Sequence, residues 1–253
     1  YQGVMVLLKN AVFVCLDCEM TGLDVKKDRI IEIAIVRFTF ERILDSIEFL
    51  INPEKEVSIE SQRIHHISNA MLKNQPKFAA VYPKIKAFLK DDDNIVGHSV
   101  GFDLQVLAQE VERLGETFPT KYHVIDTLRL AKEYGDSPNN SLESLAVHFN
   151  VPYDGNHRAM KDVEINISIF KHLCKRFHTI EQIRQVLAKP IKMKYMPLGK
   201  HKGRCFSEIP LAYLQWAAKM DFDSDLLFSI RHEIKHRQKG TRFTQVNNPF
   251  IGL

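Results

Sequence analysis

The chain has 253 residues, 45% of them hydrophobic, which is enough to bury a sizeable core in one large domain or in one domain with a small appendage. No stretch approaches the ~18 consecutive apolar residues of a membrane span and no secretory signal is visible. A membrane-embedded class is therefore disfavoured, and the chain is expected to be soluble and cytoplasmic. The net charge of +4 is unevenly placed: residues 189–242 carry 12 Lys or Arg against 5 Asp or Glu, and the remainder is slightly acidic. A near-neutral body with a basic tail suits contact with a polyanion.

Tyr1-Gln2-Gly3 reads as a tag remnant and is given no structural weight. Residues 11–20, 29–38 and 43–51 are β-branched, apolar runs that predict an antiparallel meander. Cys15 and Cys18 lie in the first run at C-x-x-C spacing. Positions three apart on a strand face opposite sides, so these are expected to be ordinary reduced thiols rather than a metal or redox pair. Helical periodicity covers 58–73 and 78–90. A short strand at 94–97 precedes a helix over 101–115 that Gly115 closes, and another at 123–126 precedes helices near 127–134 and 141–149. A long amphipathic helix follows at 159–177, with Ile165, Ile169, Leu173 and Phe177 on one face. Strands first, then strands alternating with helices, predict an α/β domain: a mixed sheet flanked by helices over 9–178. A linker helix over 179–189 leads to a small basic module over 190–242, with a helix at 224–239. Its apolar set includes Phe206, Ile209, Leu211, Tyr213, Leu214 and Trp216, with Trp216 expected in its core.

Three segments carry chemistry. Asp17 and Glu19 are two residues apart on a strand, so both carboxylates project to one side, about 6–7 Å apart along the chain. Burying two like charges together is costly without a compensating cation, and hard divalent cations take oxygen ligands. Thr21, Gly22 and Leu23 follow, supplying a hydroxyl, a glycine that permits close backbone approach, and an apolar residue suited to press on a base. Next, Gly97-His98-Ser99-Val100-Gly101-Phe102-Asp103 places Asp103 in the first turn of a helix, with His98 and Ser99 on the loop before it. Third, His157 lies five residues before Asp162, at the start of the long helix, and the two can point into one cleft. An imidazole is suited to general-base work near neutral pH.

Together, Asp-x-Glu-x-Thr-Gly, Gly-His-x-x-x-Phe-Asp and His-x-x-x-x-Asp resemble the three motifs of the DEDDh (DnaQ-like) exonucleases, over residues 11–177. The resemblance implies a ribonuclease H-like fold and a site holding two Mg2+ or Mn2+ ions on Asp17, Glu19, Asp103 and Asp162, with His157 as general base. It implies that Thr21, Gly22, Leu23 and Phe102 meet the terminal nucleotide. Ser99 stands where many relatives have asparagine, and Asp126 reads as a supporting residue. The segment Leu198-Gly199-Lys200-His201-Lys202-Gly203 with Tyr213-Leu214-x-Trp216 is similar to the C-terminal module of exonuclease X-like proteins, with Lys200, Lys202 and Arg204 read as phosphate contacts. The function so implied is 3′→5′ hydrolysis of DNA ends to 5′-mononucleotides, in repair or proofreading, with a DNA polymerase as a second partner. Two alternatives are carried: an exoribonuclease resembling oligoribonuclease or ribonuclease T, suggested by Asp17–Asp24, and a non-catalytic polymerase-associated nucleic-acid-binding module.

Overall fold

The computed structural model describes residues 6–246 apart from 120, 138, 154 and 156; Tyr1–Gly3 lie outside the described residues. Strands β1 (Phe13–Met20), β2 (Ile30–Phe38) and β3 (Ile43–Leu50) form the expected antiparallel meander. Strands β4 (Asn94–Gly97) and β5 (His123–Asp126) add in parallel on the other side, giving the order β3-β2-β1-β4-β5. β1 is thus central and covered on both faces, which is why its sequence is a continuous apolar run instead of an alternation. Phe13 and Cys15 pack into one core with Ala34, Val36 and Phe38, while Val14, Leu16 and Cys18 pack into another with Ile33 and Ile35. The two cysteines therefore face opposite sides, as their spacing predicts, and both are free thiols.

Helices α1 (Ile59–His65), α2 (Asn69–Leu72), α3 (Phe78–Phe88) and α4 (Gly101–Arg113) precede β5. Helices α5 (Thr127–Tyr134), α6 (Leu142–His148), α7 (Ala159–Leu173) and α8 (Ile180–Leu187) follow it. α3 and α4 cover the face of Val14 and Leu16; α7 covers the face of Phe13 and Cys15, burying Ile165, Ile169 and Leu173. The expected single helix over 58–73 is two helices. His65 Nδ1 accepts the Ile67 N–H, His66 turns left-handed at φ 58°, and Ser68 caps a new start. Side-chain acceptors there take the N–H groups that a continuous helix would bond. α8, expected as a linker, opens with a capping box from Thr179 and Gln182 and buries Ile180 and Ile183 in the first core.

Residues Met193, Met196, Phe206, Ile209, Leu214, Ala217, Leu226 and Ile230 form a separate small core around α9 (Leu211–Ala217) and α10 (Ser224–Val246). α10 runs past the expected 239. Trp216 corrects the expectation: it is 51% exposed, because the buried stripe of α9 is Leu214 and Ala217, and Trp216 lies around the helix from it. Among the described residues no helix is long and apolar enough to cross a membrane.

A buried ion pair helps to seat the second unit on the first. Arg129 of α5 meets Asp225, at the start of α10, at 2.8 and 3.0 Å, and donates to the main-chain oxygens of Leu187 and Lys189 at 2.7 and 2.9 Å. Asp225 is 2% exposed, so removing its partner strands a buried charge. Arg129→Ala is expected to cost about 3 kcal/mol in denaturant unfolding and to open the 187–192 segment to protease. Unchanged stability and cleavage would show that the two units are seated by something else.

Candidate active site

Asp17 and Glu19 point to the α7 face of the sheet, near the end of β1 where its pairing with β4 has stopped at Cys15. α7 brings Asp162 in its first turn, and oxygens of Asp17, Glu19 and Asp162 lie within 4.8 Å of one another. Asp103 arrives from the first turn of α4. Since β4 no longer occupies that edge of β1, the Cys18 N–H is free to donate to Asp103 Oδ1 at 3.0 Å. The strand that outlasts its neighbour thus recruits the fourth carboxylate.

Electrostatics follow from this crowding. Burial, then the charges of Asp103, Glu19 and Asp162, push the Asp17 carboxyl well above the usual carboxylate range. Burial, then Asp162 and Glu32, push Glu19 up to about 8. Burial pushes Asp103 up to about 7 against the pull of its hydrogen bonds. Among the described residues no basic side chain forms an ion pair with Asp17, Glu19 or Asp103. His157, just before α7, has Nδ1 at 3.5 Å from Asp162 Oδ2 and a side chain 43% exposed. The set is all oxygen. Burial pushes the nearby Cys15 and Cys18 thiols up, so neither offers a thiolate. Hard divalent cations of the magnesium and manganese class fit such a donor set.

The exonuclease family RNase T matches residues 14–170, more than half of the chain. The chain belongs to the RNase T exonuclease family. Residues 184–237 match a second family, described as a putative quorum-sensing-regulated virulence factor. The epsilon subunit of DNA polymerase III from Treponema pallidum is 30% identical over 67% of this chain and 80% of its own length. The PolC-type DNA polymerase III of Caldanaerobacter subterraneus is 31% identical over 74% of this chain, which spans 14% of that polymerase. Among solved structures, exonuclease X in complex with 5′-overhanging duplex DNA has a TM-score of 0.55 at 23% identity, over 69% of this chain and 98% of its own. An exonuclease I from Methylocaldum szegediense has a TM-score of 0.58 at 19% identity, over 72% and 44%. These likenesses establish the ribonuclease H-like fold, and the exonuclease domain is of the DnaQ or epsilon type.

The remaining expected residues of this exonuclease domain fall into two groups. Leu23 is 86% exposed, and Phe102 is half-buried against the α4 core. Thr21 and Gly22 are spent internally. Thr21 Oγ1 donates to Asp28 Oδ1 at 2.7 Å and accepts the Arg29 N–H, and a Cβ on Gly22 would sit 2.5 Å from Asp28 Oδ2. His98 is tied to Thr127 Oγ1 through Nδ1 at 3.1 Å and to the Asn140 main chain, and burial pushes its imidazole down. Ser99 is exposed at φ 64°, with its N–H donating to Asp126 Oδ1 at 3.0 Å. That left-handed backbone suits asparagine better than serine. Asp126 also accepts from the Leu128 N–H and caps α5. Lys200, Lys202 and Arg204 are exposed on the module, outside the acidic cluster.

Glu32 has no role in the sequence reading and a clear one in the structure. It sits opposite Glu19 on β2, fully buried, and its carboxylate accepts from Arg158 at 2.5 to 3.0 Å and from the Ala159 N–H at 2.9 Å. It thereby anchors the start of α7 between His157 and Asp162. The available signal is one acid inside the apolar run Ile30–Val36, which demands a buried cationic partner.

Glu19, Asp17 and Asp103 keep protons in the folded chain that the unfolded chain releases near pH ~4. Without metal, stability is therefore expected to fall as pH rises from ~4 towards ~8. Ions bound to the ionised set reverse this. In thermal melts Mn2+ should raise the Tm of chelator-treated protein by several degrees at pH ~8 and by less at pH ~5. A Tm indifferent to both pH and Mn2+ would contradict the crowding.

Proposed function

We propose that this chain is a metal-dependent 3′→5′ exonuclease that removes 5′-mononucleotides from DNA. The observation that carries the reading is the meeting of three carboxylates within 4.8 Å, with Asp103 beside them and His157 at 3.5 Å from Asp162. Asp17, Glu19, Asp103 and Asp162 would hold two Mg2+ or Mn2+. Divalent cations in such a site supply Lewis-acid polarisation of a phosphodiester and activation of a water.

His157, at the exposed side of the cluster and 3.5 Å from Asp162, takes the proton of the attacking water. Protonating the imidazole beforehand ends this role, so the rate falls on the acid side. Leu23, Phe102 and Ser99 contact the terminal nucleotide, while Thr21, Gly22 and His98 shape the loops that present those contacts. Lys200, Lys202 and Arg204 give the module a second grip on the phosphate chain, next to the exposed Trp216 on which a base can stack. The division into an exonuclease domain (9–178), a connector (179–189) and a module (190–242) belongs to the same reading and is supported by the separate core of the module. Relatives named as DNA polymerase III subunits support DNA as substrate and a DNA polymerase as partner.

Digestion of end-labelled DNA and RNA, single- and double-stranded, tests this with magnesium, manganese or chelator. A ladder shortening from the 3′ end of DNA is expected with either metal and none with chelator. Asp17→Asn should abolish it. His157→Ala should lower kcat by about 10²–10⁴ and remove the acid limb of the pH profile. Faster digestion of RNA favours the exoribonuclease, and DNA binding without digestion favours the non-catalytic module.

A further inference from the structure

A crevice of about 480 Å³ lies between the exonuclease domain and the C-terminal module. One wall is Leu128, Ala131 and Lys132 of α5 with Asn140 and His98; the other includes Met193, Met196, Pro197, Leu198 and Lys202. β4 and β5 run parallel to β1, so the loop after Gly97 and the start of α5 after Asp126 leave the sheet at the end where Asp17 and Glu19 stand. Crevices outside the carboxyl ends of parallel strands are where α/β folds bind ligands. β5 is two strands from β1, or about 10 Å across the sheet, which is more than one nucleotide step of ~3.4 Å.

The chemistry of the walls suits a nucleotide. Leu128, Ala131, Met193, Met196 and Leu198 give the lining an apolar surface of the kind on which a base packs. Of the charged residues, Lys194 is paired with Asp136 at 2.5 Å, and Asp223 accepts the N–H groups of Asp225 and Leu226. Lys132 and Lys202 form no ion pair among the described residues, so the spare charge is positive. Among the described residues the buried Asn140 Oδ1 has no protein hydrogen-bond partner, and the Asn140 main chain is held by His98, on the loop that leads to Asp103. The crevice and the acidic site therefore share a loop.

We infer that this crevice is a subsite for the strand being cut, holding a nucleotide upstream of the scissile bond and beyond the reach of a dinucleotide. Its base lies between Leu128 and Leu198 and its phosphate on Lys132 and Lys202. The inference rests on the nuclease reading for the direction of the strand, and it gives the module a purpose: completing the far wall.

The test uses the full chain and the variants Lys132→Glu, Leu198→Asp and their combination, with Lys132→Ala and Leu198→Ser kept for any variant that melts lower than the parent. Binding of a fluorescent single-stranded decanucleotide in chelator is read by anisotropy, and hydrolysis of deoxy-dinucleotide and decanucleotide is compared with Mn2+. The double variant should bind the decanucleotide about tenfold more weakly and raise its KM by about the same factor. The kcat and KM for the dinucleotide, too short to reach the crevice, should stay within about twofold. Equal losses on both lengths, or no loss on either, overturn the subsite. If the variants lose decanucleotide binding while the parent hydrolyses neither substrate, the subsite stands and the nuclease reading falls.

Discussion

Asp17, Glu19, Asp103 and Asp162 crowd negative charge into a place where water screens it poorly, and the rest of the exonuclease domain is arranged to hold them there. At an effective dielectric of ~20, two carboxylates about 5 Å apart repel by roughly 3 kcal/mol. No loop would hold such a group together alone. It is held because Asp17 and Glu19 stand on a strand with a dense core on each face, and because Asp103 and Asp162 are first-turn residues of helices packed on those cores. Without metal the crowding is relieved by protons that free carboxylates would release. A divalent cation would take the place of those protons.

Glu32 shows how the same face separates structural from reactive charge. It lies across from Glu19, yet its carboxylate is held by Arg158 and the Ala159 N–H. That pair fixes where α7 begins, and hence where His157 and Asp162 stand. On the other side of the site, His98 and Asp126 tie the loop before α4 to α5 and its following loop. Arg129, also on α5, then binds the module through Asp225. The acidic cluster, the crevice and the module are thus linked by short chains of buried polar contacts.

The strands and long helices were legible because their signals are local: apolar runs for β1 and β2, a 3.6-residue stripe for α7. The four acids and His157 were legible from motif spacing, although each alone reads as an ordinary surface or capping residue. What was not legible depends on partners distant in sequence. Glu32 needs Arg158, 126 residues away, to have meaning. Thr21 and Gly22 look like substrate contacts until Asp28 folds back on them. Trp216 looks like core until α10 is seen to cover the Leu214 and Ala217 side of α9. The break at His66 turns on side-chain acceptors whose geometry no periodicity records.

The crowded carboxylates are proposed to bind divalent cations. Crystals soaked in manganese and measured at its absorption edge test this most directly. The account requires anomalous peaks bounded by Asp17, Glu19, Asp103 and Asp162, absent from crystals of Asp17→Asn. An empty cluster, with manganese bound elsewhere or nowhere, would contradict it.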